Sequence, residues 1–360
     1  MQYTVDGAAK APAYIQLYEQ LRRDIVAGVY PLGAKLPSKR LLSAELGISV
    51  VTVEHALSIL ADEGYIGTRE RSGCFVIYRA GDGFAAPAPA PAKRRHVPHT
   101  GGNEGAIPFS VLARTMRRVI SEYGEEILVR SPEQGCAQLR EAISRYLARS
   151  RGMTVAPEQV VIGSGAESLY GLVVQMLGRE RTYATEDPCY EKIRAVYRAS
   201  GAAVEGLPMG EEGITDEALS ASRADVLHVT PYHSFPSGVT ATASKRRAYL
   251  DFAAKKGGYL VEDDFDSEFT VSAKMEDTLF SLDREGRVIY MNSFTKTVAA
   301  SVRVAYMVLP LALLPLFRSR VGFYSCTVPT FEQYVLSELL DSGDFERHIN
   351  RRRRQMRRRL

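Results

Sequence analysis

Apolar residues recur at helical spacing near the start of the chain. Tyr14, Leu17, Tyr18, Leu21 and Ile25 share one face, and Gly28 ends the run. Pro31 and Gly33 mark a turn. Ser38 is placed to cap a short helix that reaches Leu46 and closes at Gly47; Ser49 is placed to cap a third, with Val53, Ala56, Leu57 and Leu60 on one side. Two helices joined by a tight glycine turn predict a helix-turn-helix. Beyond Gly64, the run YIGTRERSGCFVIY reads as two short strands around a polar turn, which suits a wing.

The pattern breaks at residues 80–99, where an APAPAPA repeat forms an extended spacer that cannot bury a core. Past it, apolar runs predict strands at 160–162, 182–185, 226–230, 259–262, 288–292 and 304–309. Amphipathic helical stretches such as 137–149 and 245–255 fall before or between them. Such alternation predicts an α/β domain with a mostly parallel sheet and ligands at the carboxyl ends of its strands. The expected layout is an α+β winged helix-turn-helix domain at 10–79, a linker at 80–107 and an α/β domain at 108–360.

Composition adds exclusions. The chain has 360 residues, 45% hydrophobic and 24% charged, ordinary for a globular protein and too long for a small disulfide scaffold. No run of about 18 apolar residues is present, and the first residues lack the apolar core of a signal peptide, so a cytoplasmic protein with no membrane partner is expected. Cys74, Cys136, Cys189 and Cys326 form no CxxC pair, so no metal site is expected. The net charge of +4 comes from the final RRRRQMRRRL; without those ten residues the chain holds 39 basic and 42 acidic side chains. Residues 1–79 carry nine basic and eight acidic groups, so counterion release on nucleic acid would be modest, and DNA binding has to rest on a motif.

That motif is the run LPSKRLLSAELGISVVTVEHALSILADEGYI at residues 36–66, which resembles the winged helix-turn-helix of GntR-type bacterial regulators. The resemblance implies double-stranded DNA as a partner, with the helix at 49–63 in the major groove. Ser38, Arg40, Ser49 and Thr52 would hold phosphates, and Arg69 and Arg71 would reach the DNA from the wing. Val50 stands where the family usually has an arginine.

Further on, SGAESL (164–169), ATEDPCY (184–190), TPYHSFPSG (230–238), VEDDFDSEF (261–269) and MNSFTKTVAASVRVAY (291–306) follow one another in an order that resembles the fold-type-I, aspartate-aminotransferase-like domain of pyridoxal-phosphate proteins. With the winged helix in front, the whole chain resembles the MocR family of regulators. The resemblance implies a homodimer that binds pyridoxal 5'-phosphate and senses a small amino compound. Lys296 would form the Schiff base with the cofactor aldehyde. Gly165, Ala166 and Glu167 would offer backbone amides to the phosphate, Ser293 a hydroxyl and Arg303 a positive charge. Asp263 would sit against the pyridine nitrogen and Tyr190 would stack on the ring, while Lys192 and His233 would face the effector.

Three departures stand out. Phe265 replaces the family's tyrosine, whose hydroxyl meets the cofactor ring oxygen; Ser234 replaces a glutamine; and the glycines after the lysine segment are replaced. The arginine run is readable as a DNA-binding tail or as a solvated basic helix, the second being the expectation here, and the family's small carboxyl-terminal domain is expected to be missing or incomplete. Two other readings stay open: an aminotransferase with an accessory DNA-binding module, or a degenerate, cofactor-free regulator.

Overall fold

A computed structural model describes residues 3–7, 9, 11–69, 72–79, 106–265, 267–269 and 277–358. The chain divides into two compact units, Met1–Pro98 and His99–Leu360.

In the first unit, α1 (Ala13–Val26), α2 (Lys39–Leu46) and α3 (Val50–Asp62) precede a hairpin of β1 (Ile66–Arg69) and β2 (Gly73–Val76). The caps are local and lie where the sequence places them. Ser38 Oγ accepts from the Leu41 amide at 3.2 Å, Ser49 Oγ accepts from the Thr52 amide at 3.1 Å, and Gly47 closes α2 in the left-handed region at φ 65°. Leu17, Leu21 and Ile25 of α1 pack on Leu42, Val53, Ala56 and Leu60, with Ile66 and Val76 closing the core from the wing. This is a winged helix-turn-helix.

The second unit contains α4 (Phe109–Tyr123), α5 (Ala137–Arg151), β3 (Val160–Gly163), α6 (Ala166–Leu177), β4 (Thr182–Asp187), α7 (Glu191–Ala199), β5 (Ala203–Gly210), β6 (Gly213–Ile214) and α8 (Asp216–Ala221). It continues through β7 (Val226–Val229), α9 (Ala243–Lys256), β8 (Tyr259–Asp263), α10 (Leu279–Leu282), β9 (Val288–Ser293), β10 (Ala305–Val308), α11 (Leu314–Arg320), α12 (Thr330–Asp341) and α13 (Asp344–Arg357). The sheet order is β3-β10-β9-β8-β7-β4-β5-β6. The ladders from β9 through β8, β7 and β4 to β5 are parallel, and β10 runs antiparallel to β3 and β9. Strands β3, β7 and β10 are buried at every position, as strands covered by helices on both faces must be.

The direction of β10 decides which loops meet. Because β10 is reversed, its amino end lies at the carboxyl ends of its neighbours: Ala305 pairs with Gly163 on one side and with Ser293 on the other. The residues just before β10 therefore join those just after β3 and β9.

Three expectations change. Ile107, placed at the end of the linker, is buried and donates its amide to the Val298 carbonyl at 2.8 Å, so it belongs to the second unit's core. β5 and β6 add to the expected strands, because Gly206, Pro208 and Gly210 interrupt the apolar pattern of β5. The basic terminal helix is not wholly solvated. α13 buries Phe345, His348 and Ile349, and Arg353 Nε donates to the Glu268 carbonyl at 2.6 Å. The rest of the expected linker, residues 80–105, and Arg71 lie outside the described residues.

Candidate functional site

A cavity of about 380 Å³ opens at the carboxyl ends of the parallel strands, within the range of small-molecule sites. Seven of the residues singled out from sequence line it: Ala166, Glu167, Tyr190, Asp263, Ser293, Lys296 and Arg303. They arrive from five strand ends. Ala166 and Glu167 open α6 after β3, Tyr190 follows β4, Asp263 ends β8, Ser293 ends β9, and Arg303 precedes the reversed β10. Phe265, Tyr170, Ile193, Thr230, Phe235 and Thr295 complete the lining.

Gly165, the remaining cofactor candidate, does not line the cavity; it sits directly before α6 with φ +86°. A Cβ there would lie 2.7 Å from a guanidinium nitrogen of Arg303. The positive φ favours glycine, and with no Cβ in the way the arginine lies over the helix start, where the helix dipole favours an anion; the Gly165 amide itself donates to the Gly163 carbonyl at 2.9 Å. Glu167, in the first turn, accepts hydrogen bonds from Arg303 and from Lys192 Nζ, the latter at 3.2 Å. Burial pushes the Glu167 carboxyl up, but its backbone amide and the two cations outweigh that and hold it below the ordinary carboxylate value.

Asp263, at the end of β8, is buried and accepts the Tyr170 hydroxyl. Burial and this carboxylate push the Tyr170 hydroxyl well above its ordinary value, so it stays a donor. His228 lies behind, with Nε2 3.6 Å from Asp263 Oδ2 and Nδ1 2.6 Å from the Tyr197 hydroxyl. Lys296 Nζ stands 5.1 Å from the centroid of the Phe265 ring. Tyr190 faces Phe235 edge-on with ring centroids 6.3 Å apart.

The turn that carries Thr230 and Phe235 is anchored by a buried acid. Glu186 accepts the Thr230 amide at 3.1 Å and the Ser234 hydroxyl at 2.5 Å, and burial pushes its carboxyl up to about 7. Ser234 thus braces the turn from inside. His233, expected to face the effector, is exposed and does not line the cavity. The turn puts it at φ 50° while its neighbours Tyr232 and Ser234 are buried, which points its side chain to solvent.

Sequence reasoning missed Tyr170, His228 and Glu186. Tyr170 was within reach, since it stands one helical turn after Ala166 and so shares its face. For His228 and Glu186 no local signal exists; their roles come from neighbouring strands.

In the first unit, Ser38 and Ser49 cap their helices, and Arg40 and Arg69 are exposed. Thr52 shares a 2.8 Å hydrogen bond with Ser49, and the Arg69 guanidinium lies 4.7 Å from the centroid of the Phe75 ring. Val50 and Val51 are exposed at the start of α3.

The donor set fits a phosphorylated aldehyde with a basic ring nitrogen. It offers an amine, a cation over a helix start and a buried carboxylate in one lining. Among the described residues no helix is long and apolar enough to cross a membrane, and no group of three or more ligand-type side chains could hold a metal ion.

Comparison with known proteins agrees with both units. The family of bacterial regulatory proteins of the gntR type matches residues 13–76, and the aminotransferase class I and II family matches residues 101–360. The HTH-type transcriptional regulator YdeL of Bacillus subtilis is 34% identical over 354 residues, covering 95% of this chain and 76% of that protein. The probable rhizopine catabolism regulatory protein MocR of Rhizobium meliloti is 30% identical over 377 residues, covering 97% of this chain and 76% of that protein. Among solved structures, the α-aminoadipate aminotransferase of Thermus thermophilus, complexed with N-(5'-phosphopyridoxyl)-L-leucine, superposes with a TM-score of 0.62 at 30% identity. That match covers 70% of this chain, which spans 66% of the aminotransferase, just under two thirds.

Proposed function

The chain belongs to the MocR-type regulators, a GntR winged helix-turn-helix joined to a domain of the aminotransferase class I and II family, and from that premise we propose that it is a cytoplasmic, pyridoxal-phosphate-dependent transcriptional regulator that senses a small amino compound. The observation that carries this reading is the convergence of Lys296, Asp263 and Arg303 on one cavity from three separate strand ends.

Pyridoxal phosphate, when bound, supplies an aldehyde that exchanges one amine for another. Lys296 offers the resident amine. Arg303, Ser293 and the first amides of α6 would receive the phosphate by charge and hydrogen bonding. Asp263, kept buried and fixed by Tyr170 and by His228 behind it, holds a proton on a ring nitrogen by stabilising its positive charge. Tyr190 and Phe235 form an aromatic wall of the cavity. An amino compound regulates DNA binding only if it contacts two conformers of the protein differently, and one that competes with the Lys296 amine would be that differential ligand. The DNA contacts fall to Ser38, Arg40, Ser49, Thr52, Arg69 and Arg71, and the protein acts as a homodimer on two half-sites.

The test is an absorbance titration of the full chain with pyridoxal phosphate. A visible band in the wild type, lost in Lys296→Ala, and a change in affinity for promoter DNA on adding the amine together support the reading. Absence of the band removes it. Steady turnover of an amino donor with a keto acid would mark an aminotransferase instead.

A further inference from the structure

The anion end of the cavity already contains an anion. Glu167 is the second residue of α6, and its two oxygens accept from Arg303 and from Lys192. Held below the ordinary carboxylate value, it is charged at neutral pH. Arg303 lies over the helix start at Gly165, so a phosphate received there meets the same guanidinium that Glu167 occupies. Two cations and one carboxylate leave a single net positive charge, whereas a phosphate monoester near neutral pH carries close to two negative charges.

We propose that Glu167 is an internal competitor for the ligand's phosphate: it holds Arg303 and Lys192, and a phosphorylated ligand binds by drawing these cations away. The inference rests on reading the cavity as the site of a phosphorylated aldehyde. It makes Glu167 a specificity-determining residue that lowers affinity for the phosphate end alone. Occupancy then follows ligand concentration, and an aldehyde without the phosphate is indifferent to the carboxylate. Arg303 is half-exposed, so the competition is partly screened and weakens as salt rises.

The full-length wild type and Glu167→Gln are titrated with pyridoxal phosphate, with pyridoxal and, by calorimetry, with inorganic phosphate. Glu167→Ala serves if the amide variant misfolds. The expected result is about fivefold tighter binding of pyridoxal phosphate and of inorganic phosphate in the variant, equivalent to about 1 kcal/mol, with pyridoxal unchanged and the gain shrinking at high salt. Equal or weaker phosphate binding in the variant overturns the inference, as does an equal gain for pyridoxal. If neither protein took up pyridoxal phosphate, the reading of the cavity would fall, and the phosphate titration would decide the role of Glu167 by itself.

Discussion

Asp263 and Asp264 are adjacent in sequence and turn to opposite sides of the sheet. Asp263 takes the Tyr170 hydroxyl at the cavity, while Asp264 pairs with the buried Arg151 of α5 at 2.7 Å and accepts the Tyr290 hydroxyl at 2.7 Å. Alternation along an extended chain assigns one carboxylate to the ligand and the other to the fold. Asp264 also lies near Glu268, whose carboxyl burial pushes up to about 7 and whose carbonyl receives Arg353 of α13.

Neutralising each acid is expected to separate these roles. Asp264→Asn leaves the Arg151 guanidinium buried without its counter-charge and destabilises the fold by about 3–5 kcal/mol, read by urea denaturation. Asp263→Asn keeps an acceptor for Tyr170 and stays folded, yet alters the visible spectrum with pyridoxal phosphate. A wild-type urea midpoint in Asp264→Asn would refute the structural assignment.

The Glu186 carboxyl yields a pH prediction. Burial raises it from 4.5 to about 7 in the folded protein, so the folded state binds its proton more tightly than the unfolded one. Its contribution is fully present below 4.5 and is lost as pH rises through about 7, with a slope of up to about 1.4 kcal/mol per pH unit between. Glu186→Gln retains partners for Thr230 and Ser234 and removes that slope. Stability measured from pH 5 to 8 should therefore fall less steeply in the variant.

Phe265 stands beside Lys296 where the family resemblance implies a tyrosine. Phe265→Tyr adds a donor at that place, and a hydrogen bond to a charged group is worth about 1.5–3 kcal/mol, so pyridoxal phosphate should bind at least tenfold tighter. A spectrophotometric titration checks it, and unchanged affinity would show that the phenyl ring lies outside reach of the ligand.

Val50 opens α3 exposed. Val50→Arg places a cation at the start of the recognition helix without disturbing the core. Log affinity for DNA should become steeper against log salt by about 0.9, the increment for one added phosphate contact. An identical slope would mean that this helix start does not approach the backbone.

Local chemistry made much of this chain legible. Ser38 and Ser49 accept amides three residues on and Gly47 supplies a left-handed turn, so the helix-turn-helix could be read without tertiary information. The buried strands showed as apolar runs because helices cover both faces of the sheet. The candidate residues Lys296, Asp263 and Arg303 came from family resemblance, since none carries a distinctive local pattern. What only the folded chain decided is which side chains meet. The reversed β10 delivers Arg303 to the start of α6, Glu167 is turned onto that arginine, and Glu186 finds Ser234 across 48 residues. Contacts of that kind depend on strand order and register, so they come into being only when the sheet assembles.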